Sequence, residues 1–335
     1  MITVRAPFRL PLGGGGTDLP SYYHKNDGFL ITAAINKYMF MNINVPAIVN
    51  KIKIQYSKVE SVNLDEIEKI EHEIVRESLK YLKINSPVEI SSMADLSAGT
   101  GMGSSSSYTV ALLKGLNAML KRDISTHDLA EEACKVEIDL IGKPIGKQDQ
   151  YAAAYGGLIQ LDIDRLGNVK VTPLNLDTEV IYELENRLLM FYTGKERDAN
   201  SILGEQSEKI KKAKAGSQNT ALAYMDKIKS IGYKIKDALL SEDIDGFGKL
   251  MHEHWLTKKS VSDKMSNSEI DTWYDLAMSN GAIGGKIMGA GGGGFLLLCV
   301  ENGKRKHLRK TMEQSGLKYM DFKFDWEGAK VLVNI

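Results

Sequence analysis

The chain reads as a protein of mixed α and β structure in two parts, and three observations lead there. Its 335 residues amount to about two domains at roughly 150 residues each. Short β-rich runs dominate the first part, and long helical stretches take over after Asn175. Of the 31 glycines, nearly half fall in three patches, at 13–16, 99–103 and 281–294. Composition narrows the class. With 43% hydrophobic residues the chain can bury a sizeable core. Lys+Arg and Asp+Glu both number 43, so no half reads as a basic arm for nucleic acid or as an acidic tail. Any anionic ligand must be held by a local arrangement. Cys134 and Cys299 lie far apart without metal-ligand spacing, and the start, Met1-Ile-Thr-Val-Arg-Ala-Pro7, lacks the apolar run of a signal peptide. Both point to a reducing cytoplasm. The apolar stretch Phe295 to Val300 is far short of the ~20 residues of a membrane span.

The elements follow in order. Ile2 to Ala6, Phe29 to Ile35, Tyr38 to Val45, Ile52 to Tyr56 and Val88 to Met93 are β-rich, several with period-two alternation. Between them, Ile67, Ile70, Ile74, Val75, Leu79 and Leu82 recur at helical spacing, which predicts one amphipathic helix over Asp65 to Leu82. Tyr108 to Leu120 predicts a helix opening out of the second glycine patch, and Thr126 to Ile141 another, with Ser125 as N-cap, Asp128 at N3 and Gly142 as the stop. A short helix at Gln148 to Tyr155, ended by Gly156, precedes strand-like Leu158 to Ile163 and Val169 to Val171. A boundary near 175–185 divides the chain into 1–180 and 181–335. The second part opens with a strand, Arg187 to Tyr192, and continues with helices near Ala199 to Ala215, Thr220 to Leu240, Ile244 to Thr257 and Ser268 to Ser279. Two strands, Gly294 to Val300 and Phe322 to Val333, flank a helix at Lys304 to Gly316.

A glycine-rich loop feeding a helix N-terminus is a plausible anion cradle, because backbone amides can approach a phosphate there. Leu96-Ser-Ala-Gly-Thr-Gly-Met-Gly-Ser-Ser-Ser-Ser107 lies between a predicted strand and a predicted helix and adds four hydroxyls. Two familiar alternatives fail. Gly142-Lys-Pro-Ile-Gly-Lys-Gln148 has one residue too few between its glycines for a Walker loop, and Gln in place of the hydroxyl. Gly289-Ala-Gly-Gly-Gly-Gly294 matches GxGxxG but runs straight into Phe295-Leu-Leu-Leu298 instead of opening a helix, which excludes a dinucleotide fingerprint.

Three separated segments carry a resemblance: Pro7-Phe-Arg-Leu-Pro-Leu-Gly-Gly-Gly-Gly-Thr-Asp18, Gly99-Thr-Gly-Met-Gly-Ser-Ser105 and Lys286-Ile-Met-Gly-Ala-Gly-Gly-Gly-Gly-Phe295. In that order and spacing the chain resembles the GHMP small-molecule kinases. Gly146-Lys-Gln-Asp-Gln-Tyr151 and Thr193-Gly-Lys-Glu-Arg197 resemble the heptose 7-phosphate kinases within that superfamily, with the L-fucokinase kinase domain as a relative. Ser97-Ala98 stands where the family usually has proline.

The resemblance implies a two-domain α+β fold, like ribosomal protein S5 domain 2 at the N-terminus and ferredoxin-like at the C-terminus, with the active site between. It implies an ATP- and Mg²⁺-dependent kinase of a sugar or sugar phosphate, without nucleic-acid or membrane partners and with a homodimer as one option. Gly99, Gly101, Gly103, Ser104, Ser105 and Ser106 would cradle ATP. Asp149 would accept or orient the acceptor proton, although by itself it reads as a first-turn helix acid. Arg9 would stabilise transferring charge, although Arg9 and Asp18 also read as a surface ion pair. Ser105 and Glu137 would hold Mg²⁺; the rival Asp139 faces another side of the helix. Asp18, with Thr17 and Gly16 in the same turn, would meet sugar hydroxyls, and Gly291 and Gly292 would close over them. Lys195 and Arg197 would hold a phosphate at the far end of the substrate. His252-Glu-His254 suggests a metal pair, but alternate helical residues face different ways and a zinc site needs more ligands. Trp255 and Lys258 share a face with His252, packing being the better role for Trp255.

Overall fold

The computed structural model describes residues 1–195, 199–212, 220–260, 265–289 and 291–335. The elements run β1 (Ile2–Gly13), α1 (Pro20–Asn26), β2 (Gly28–Asn44), β3 (Lys51–Gln55), β4 (Val59–Asn63), α2 (Glu73–Tyr81), β5 (Val88–Ala94), α3 (Ser104–Met119), α4 (Thr126–Cys134), α5 (Gln148–Tyr155), β6 (Leu158–Ile163), β7 (Val169–Pro173) and α6 (Thr178–Arg187). Then come β8 (Leu188–Tyr192), α7 (Ala199–Lys212), α8 (Ala221–Leu240), α9 (Ile244–Lys259), α10 (Ser268–Met278), β9 (Ala282–Ile287), β10 (Phe295–Val300), α11 (Arg305–Gln314), β11 (Lys318–Met320) and β12 (Lys330–Asn334). Four helices open with the side-chain caps their sequences offer: Ser125 accepts from Asp128 N–H, Thr220 from Ala223 N–H, Asp243 from Gly246 N–H and Asn267 from Ile270 N–H.

The larger sheet has the order β12-β1-β2-β5-β3-β4, with β6 also pairing β2 and β7 pairing β6. The long β2 joins its two halves, pairing β5 through Met39–Asn44 and β6 through Gly28–Ala33. The smaller sheet has the order β11-β8-β10-β9. With helices between β8 and β9 and between β10 and β11, this is the βαββαβ arrangement of a ferredoxin-like unit. The sheets share one core, in which Ile231 and Ile235 of α8 join Leu10, Leu12 and Phe29 of the larger sheet and Leu297 of the smaller one. Val110, Leu112, Leu113 and Leu116 of α3 are fully buried there, each worth about 1.5–3 kcal/mol over exposure.

Several expectations are revised. The helix predicted over Asp65 to Leu82 is a 3₁₀ turn, Leu64–Lys69, followed by α2. The break comes from side chains that outbid the helix for its amides: Asn63 and Glu66 form a capping box, and the Glu60 carboxylate accepts from Glu71 N–H (2.6 Å) and His72 N–H (3.2 Å). The helix from Thr126 begins on Ser125 as predicted but passes into a π-helical turn over Lys135–Leu140. Helices α1 and α6 and strands β4, β9 and β11 were not anticipated. The strand predicted over Phe322 to Val333 starts only at Lys330, because Asp325 turns the chain by accepting from Glu327 and Gly328 N–H. Dividing the chain at 180 also assigns β12 to the second part, whereas it pairs with β1 of the larger sheet. The termini meet there, Met1 N donating to the Ile335 carbonyl at 2.5 Å and Ile335 N–H to the Met1 carbonyl at 3.1 Å.

Lys286 of β9 ties the sheets together by donating to the carbonyl of Leu12, near the end of β1, at 2.9 Å. Burial, then the positive charges of Lys258 and Arg9, push its amine well below the ordinary lysine range. The unfolded chain therefore holds a proton that the folded chain gives up, and stability rises with pH towards about 10.4, the ordinary lysine value. Lys286→Met should raise the thermal midpoint near pH 7 by a few degrees, and the gain should shrink towards pH 10. A gain independent of pH in denaturation scans would mean that the amine stays charged.

Candidate active site

The three glycine segments converge on one cleft of about 270 Å³. Its floor is the loop before α3. Gly99, Gly101 and Gly103 all have positive φ, 78°, 79° and 80°, so their amides can turn inward as no side-chain-bearing residue would easily allow. Gly103 is the N-cap of α3 and supplies no side-chain cap, which leaves the first amides of the helix free for an anion. Thr100 Oγ1 donates to the Ser97 carbonyl at 2.9 Å, closing the loop entry where proline is missing. A Cβ on Gly294 would lie 2.2 Å from the Thr100 carbonyl, so the third glycine segment packs directly on this loop.

Arg9 on β1 and Asp149 in the first turn of α5 meet at the loop's inner edge. The guanidinium grips the carboxylate with two bonds, Nε to Oδ1 at 2.6 Å and Nη2 to Oδ2 at 2.8 Å, and gives Nη1 to the Gly101 carbonyl at 2.7 Å. Arg9 therefore pairs with Asp149, not with Asp18. Asp18 is nearly inaccessible and accepts from Gly16 N–H at 3.0 Å and Gln148 N–H at 3.1 Å. Burial, opposed by these bonds and aided by the charge of Asp149, raises its pKa. Thr17 is buried below, donating to the carbonyls of Gly14 and Phe29, so it supports the turn instead of lining the cleft.

On the other flank Glu137 is completely buried while Asp139 is exposed, so the π-helical turn separates the two as helical geometry requires. Glu137 Oε1 accepts from Ser105 Oγ and, at 3.1 Å, from Lys143 Nζ, and Oε2 accepts from Gln150 Nε2 at 2.9 Å. Lys143 Nζ also donates to Ser105 Oγ at 2.6 Å. Among the described residues no group of three His, Cys, Asp or Glu side chains gathers to hold a metal unaided. One carboxylate and one hydroxyl beside a phosphate loop are nevertheless the protein share of a Mg²⁺ shell that a nucleotide and water complete.

The structure thus gathers Arg9, Gly16, Asp18, Gly99, Gly101, Gly103, Ser104, Ser105, Ser106 and Asp149 along one cleft, with Glu137 bonded to Ser105 behind it. It does not bring in all the others. Lys195 pairs with the Glu269 carboxylate, outside the cleft lining. Gly291 and Gly292 lie against Met265, which accepts from Gly292 N–H at 2.8 Å. Arg197 lies outside the described residues. His252 bonds to the Tyr274 hydroxyl at 2.8 Å, His254 is buried, and Trp255 sits in the second core, so these histidines form no metal pair. Lys258 does reach the cleft, donating to the Gly289 carbonyl at 2.7 Å. Lys143, Ile145 and Gln148 also line it and were missed. The signal was there, since Lys143 and Ile145 lie just before the Gly146-Lys-Gln-Asp149 run and Gln148 belongs to it. A second cavity of about 540 Å³ opens beside Ser104 and Ser105 between Tyr56, His72, Met93, Leu96 and Tyr108.

A phosphate loop facing an Arg-gripped carboxylate, between an S5-like sheet and a ferredoxin-like sheet, is the arrangement of a small-molecule kinase. The chain belongs to the GHMP kinase family: residues 69–157 match the family's N-terminal domain, described as GHMP kinases N terminal domain, and residues 235–316 match GHMP kinases C terminal. It is an ATP-dependent sugar kinase. Across 98% of both chains it is 31% identical to D-glycero-alpha-D-manno-heptose 7-phosphate kinase of Campylobacter jejuni. It is 28% identical to a galactokinase of Thermococcus kodakarensis over 93% of each. A solved structure titled a D-glycero-D-manno-heptose 1-phosphate kinase from Bacteroides thetaiotaomicron shares the fold, with a TM-score of 0.80 over 100% of both chains and 24% identity. Among the described residues no helix is long and apolar enough to cross a membrane.

Gly146 offers a test of how the cleft is held. A Cβ there would lie 1.9 Å from Asp18 Oδ2, so Gly146→Ala must push the carboxylate aside. Displacing a positioning group by about 1 Å costs on the order of 10²-fold, and kcat/KM for the sugar should fall by that much with little change in KM for ATP. A normal sugar kcat/KM would show that Asp18 holds its place by other means.

Proposed function

We propose that the enzyme transfers the γ-phosphoryl of ATP, with Mg²⁺ held by Ser105 and Glu137, to the anomeric hydroxyl of D-glycero-D-manno-heptose 7-phosphate. The observation that carries this reading is the Arg9–Asp149 pair, bonded on one side to the phosphate loop through Gly101 and set on the other in the cleft that holds Asp18. Phosphoryl transfer needs in-line positioning and charge stabilisation more than covalent help. Asp149 receives or orients the acceptor proton while Arg9 holds it in place and faces the transferring charge. Asp18 and Gln148 meet sugar hydroxyls. The cavity beside Tyr108 and His72, whose rings stack at 4.7 Å, offers apolar and aromatic walls for the base. The name of the Campylobacter jejuni relative supports heptose 7-phosphate as substrate.

A second reading, a kinase of an unphosphorylated sugar such as fucose or galactose, is favoured by the engagement of Lys195 with Glu269, which leaves that lysine no part in holding a substrate phosphate. A non-catalytic sensor would not need Arg9, Ser105, Glu137 and Asp149 together. Turnover of ATP with a panel of phosphorylated and unphosphorylated sugars separates the three. Preference for heptose 7-phosphate is expected; equal use of fucose or galactose would favour the second reading, and no turnover the third.

Asp149→Asn keeps the volume and removes the proton acceptor, so kcat should fall about 10²- to 10⁴-fold while ATP binding persists; near-normal kcat would make Asp149 structural. Glu137→Gln should raise the Mg²⁺ concentration for half-maximal rate, whereas Asp139→Asn, on the exposed face, should barely change it. Equal effects would mean that the metal lies elsewhere.

A further inference from the structure

Lys143 has no part in the chemistry above, yet it sits at its centre. Its backbone N–H bonds to the Glu137 carbonyl at 3.0 Å, which fixes the start of its side chain beside the π-helical turn. Its Nζ lies 2.6 Å from Ser105 Oγ and 3.1 Å from Glu137 Oε1, the same two oxygens assigned to Mg²⁺. A Mg²⁺ ion binds oxygen at about 2.0–2.1 Å, so an ion holding both oxygens fills the space the ammonium now occupies. The two cations are alternative occupants of one cradle. Glu137 itself cannot be left bare, because an unpaired buried carboxylate is strongly destabilising, and its other partner, Gln150, is neutral.

We propose that Lys143 is a resident counter-ion: it fills the metal cradle in the nucleotide-free enzyme and yields to Mg²⁺ when the nucleotide arrives. The lysine lines the cleft beside Ser104, Ser105 and Ser106, so the released ammonium swings towards the nucleotide phosphates, whose charge compensates it. Metal without nucleotide must evict a cation that has no new anion to meet, and therefore binds poorly. Metal and nucleotide together relieve one another, which is a coupling between two ligands built into one side chain. The inference rests on the assignment of Mg²⁺ to Ser105 and Glu137.

The test is Mn²⁺ binding to the full chain, followed by paramagnetic resonance with and without a non-hydrolysable ATP analogue. Wild type should bind Mn²⁺ weakly alone and at least tenfold more tightly with the analogue, within the usual range of coupling between ligands, about 5- to 150-fold. Lys143→Met should bind Mn²⁺ alone about tenfold more tightly than wild type, and its thermal midpoint, lowered in chelator, should recover on adding Mn²⁺. Lys143→Gln, which keeps a neutral donor towards Glu137, gives the same reading should the methionine variant fail to fold. Unchanged or weaker Mn²⁺ binding by a folded neutral variant overturns the counter-ion role. The double variant Lys143→Gln, Glu137→Gln separates the two ideas: loss of its binding is expected, and retained binding overturns the metal assignment itself.

Discussion

Arg9 is the joint on which the site depends. The residue is 4% exposed, and its donors reach three partners: two bonds hold Asp149, a third holds the Gly101 carbonyl, and its own amide donates to the Met102 carbonyl at 3.2 Å. One residue of β1 therefore fixes the phosphate loop, the start of α5 and the reacting carboxylate relative to each other. A buried ion pair of this kind earns its place through geometry more than stability, since two charges taken from water regain their desolvation cost only when the bonding is complete. Lysine could not replace it, because a point charge cannot grip a carboxylate with two parallel bonds and reach a carbonyl as well.

Around that joint the two sheets supply different things. The larger sheet and α3 carry the phosphate loop, and α5 and the π-helical turn bring up Asp149 and Glu137. The smaller sheet adds its glycine-rich turn from above, seated on Thr100, and reaches across through Lys286, while Lys258 of α9 holds that turn at the Gly289 carbonyl. Cations from both halves, Arg9, Lys143 and Lys258, thus line the region where nucleotide and sugar would meet, although the chain as a whole is neutral. The local arrangement of charge demanded by that neutrality is built from buried and part-buried side chains on separate segments, beyond the reach of any charge count.

What was legible in the sequence was whatever local spacing controls. The three glycine segments, the helix that follows the second of them (predicted from Tyr108, observed from Ser104), the Ser125 cap and the opposed faces of Glu137 and Asp139 all depend on neighbours within a few residues. The pairing of Arg9 with Asp149 joins residues 140 positions apart, so spacing suggested Asp18 as the partner instead. Strand β9 was hidden by Gly284 and Gly285, which weaken a strand pattern; a Cβ on Gly284 would lie 2.1 Å from the Gly248 carbonyl of α9, a contact no local signal reports. Nothing in the local sequence singles out Lys143, and only the fold places it between Ser105 and Glu137.

The last strand lies beside the first. β1 is made before its two neighbours and finds β2 soon after, but its other edge has no partner until β12, far along the chain, has been made. In the interval between the synthesis of β1 and that of β12 the nascent chain carries an open strand edge, the kind of surface on which chains join to one another. The alternation of β12, with Lys330 and Leu332 outward, covers that edge with a short strand, so the larger sheet closes only when β12 docks on β1.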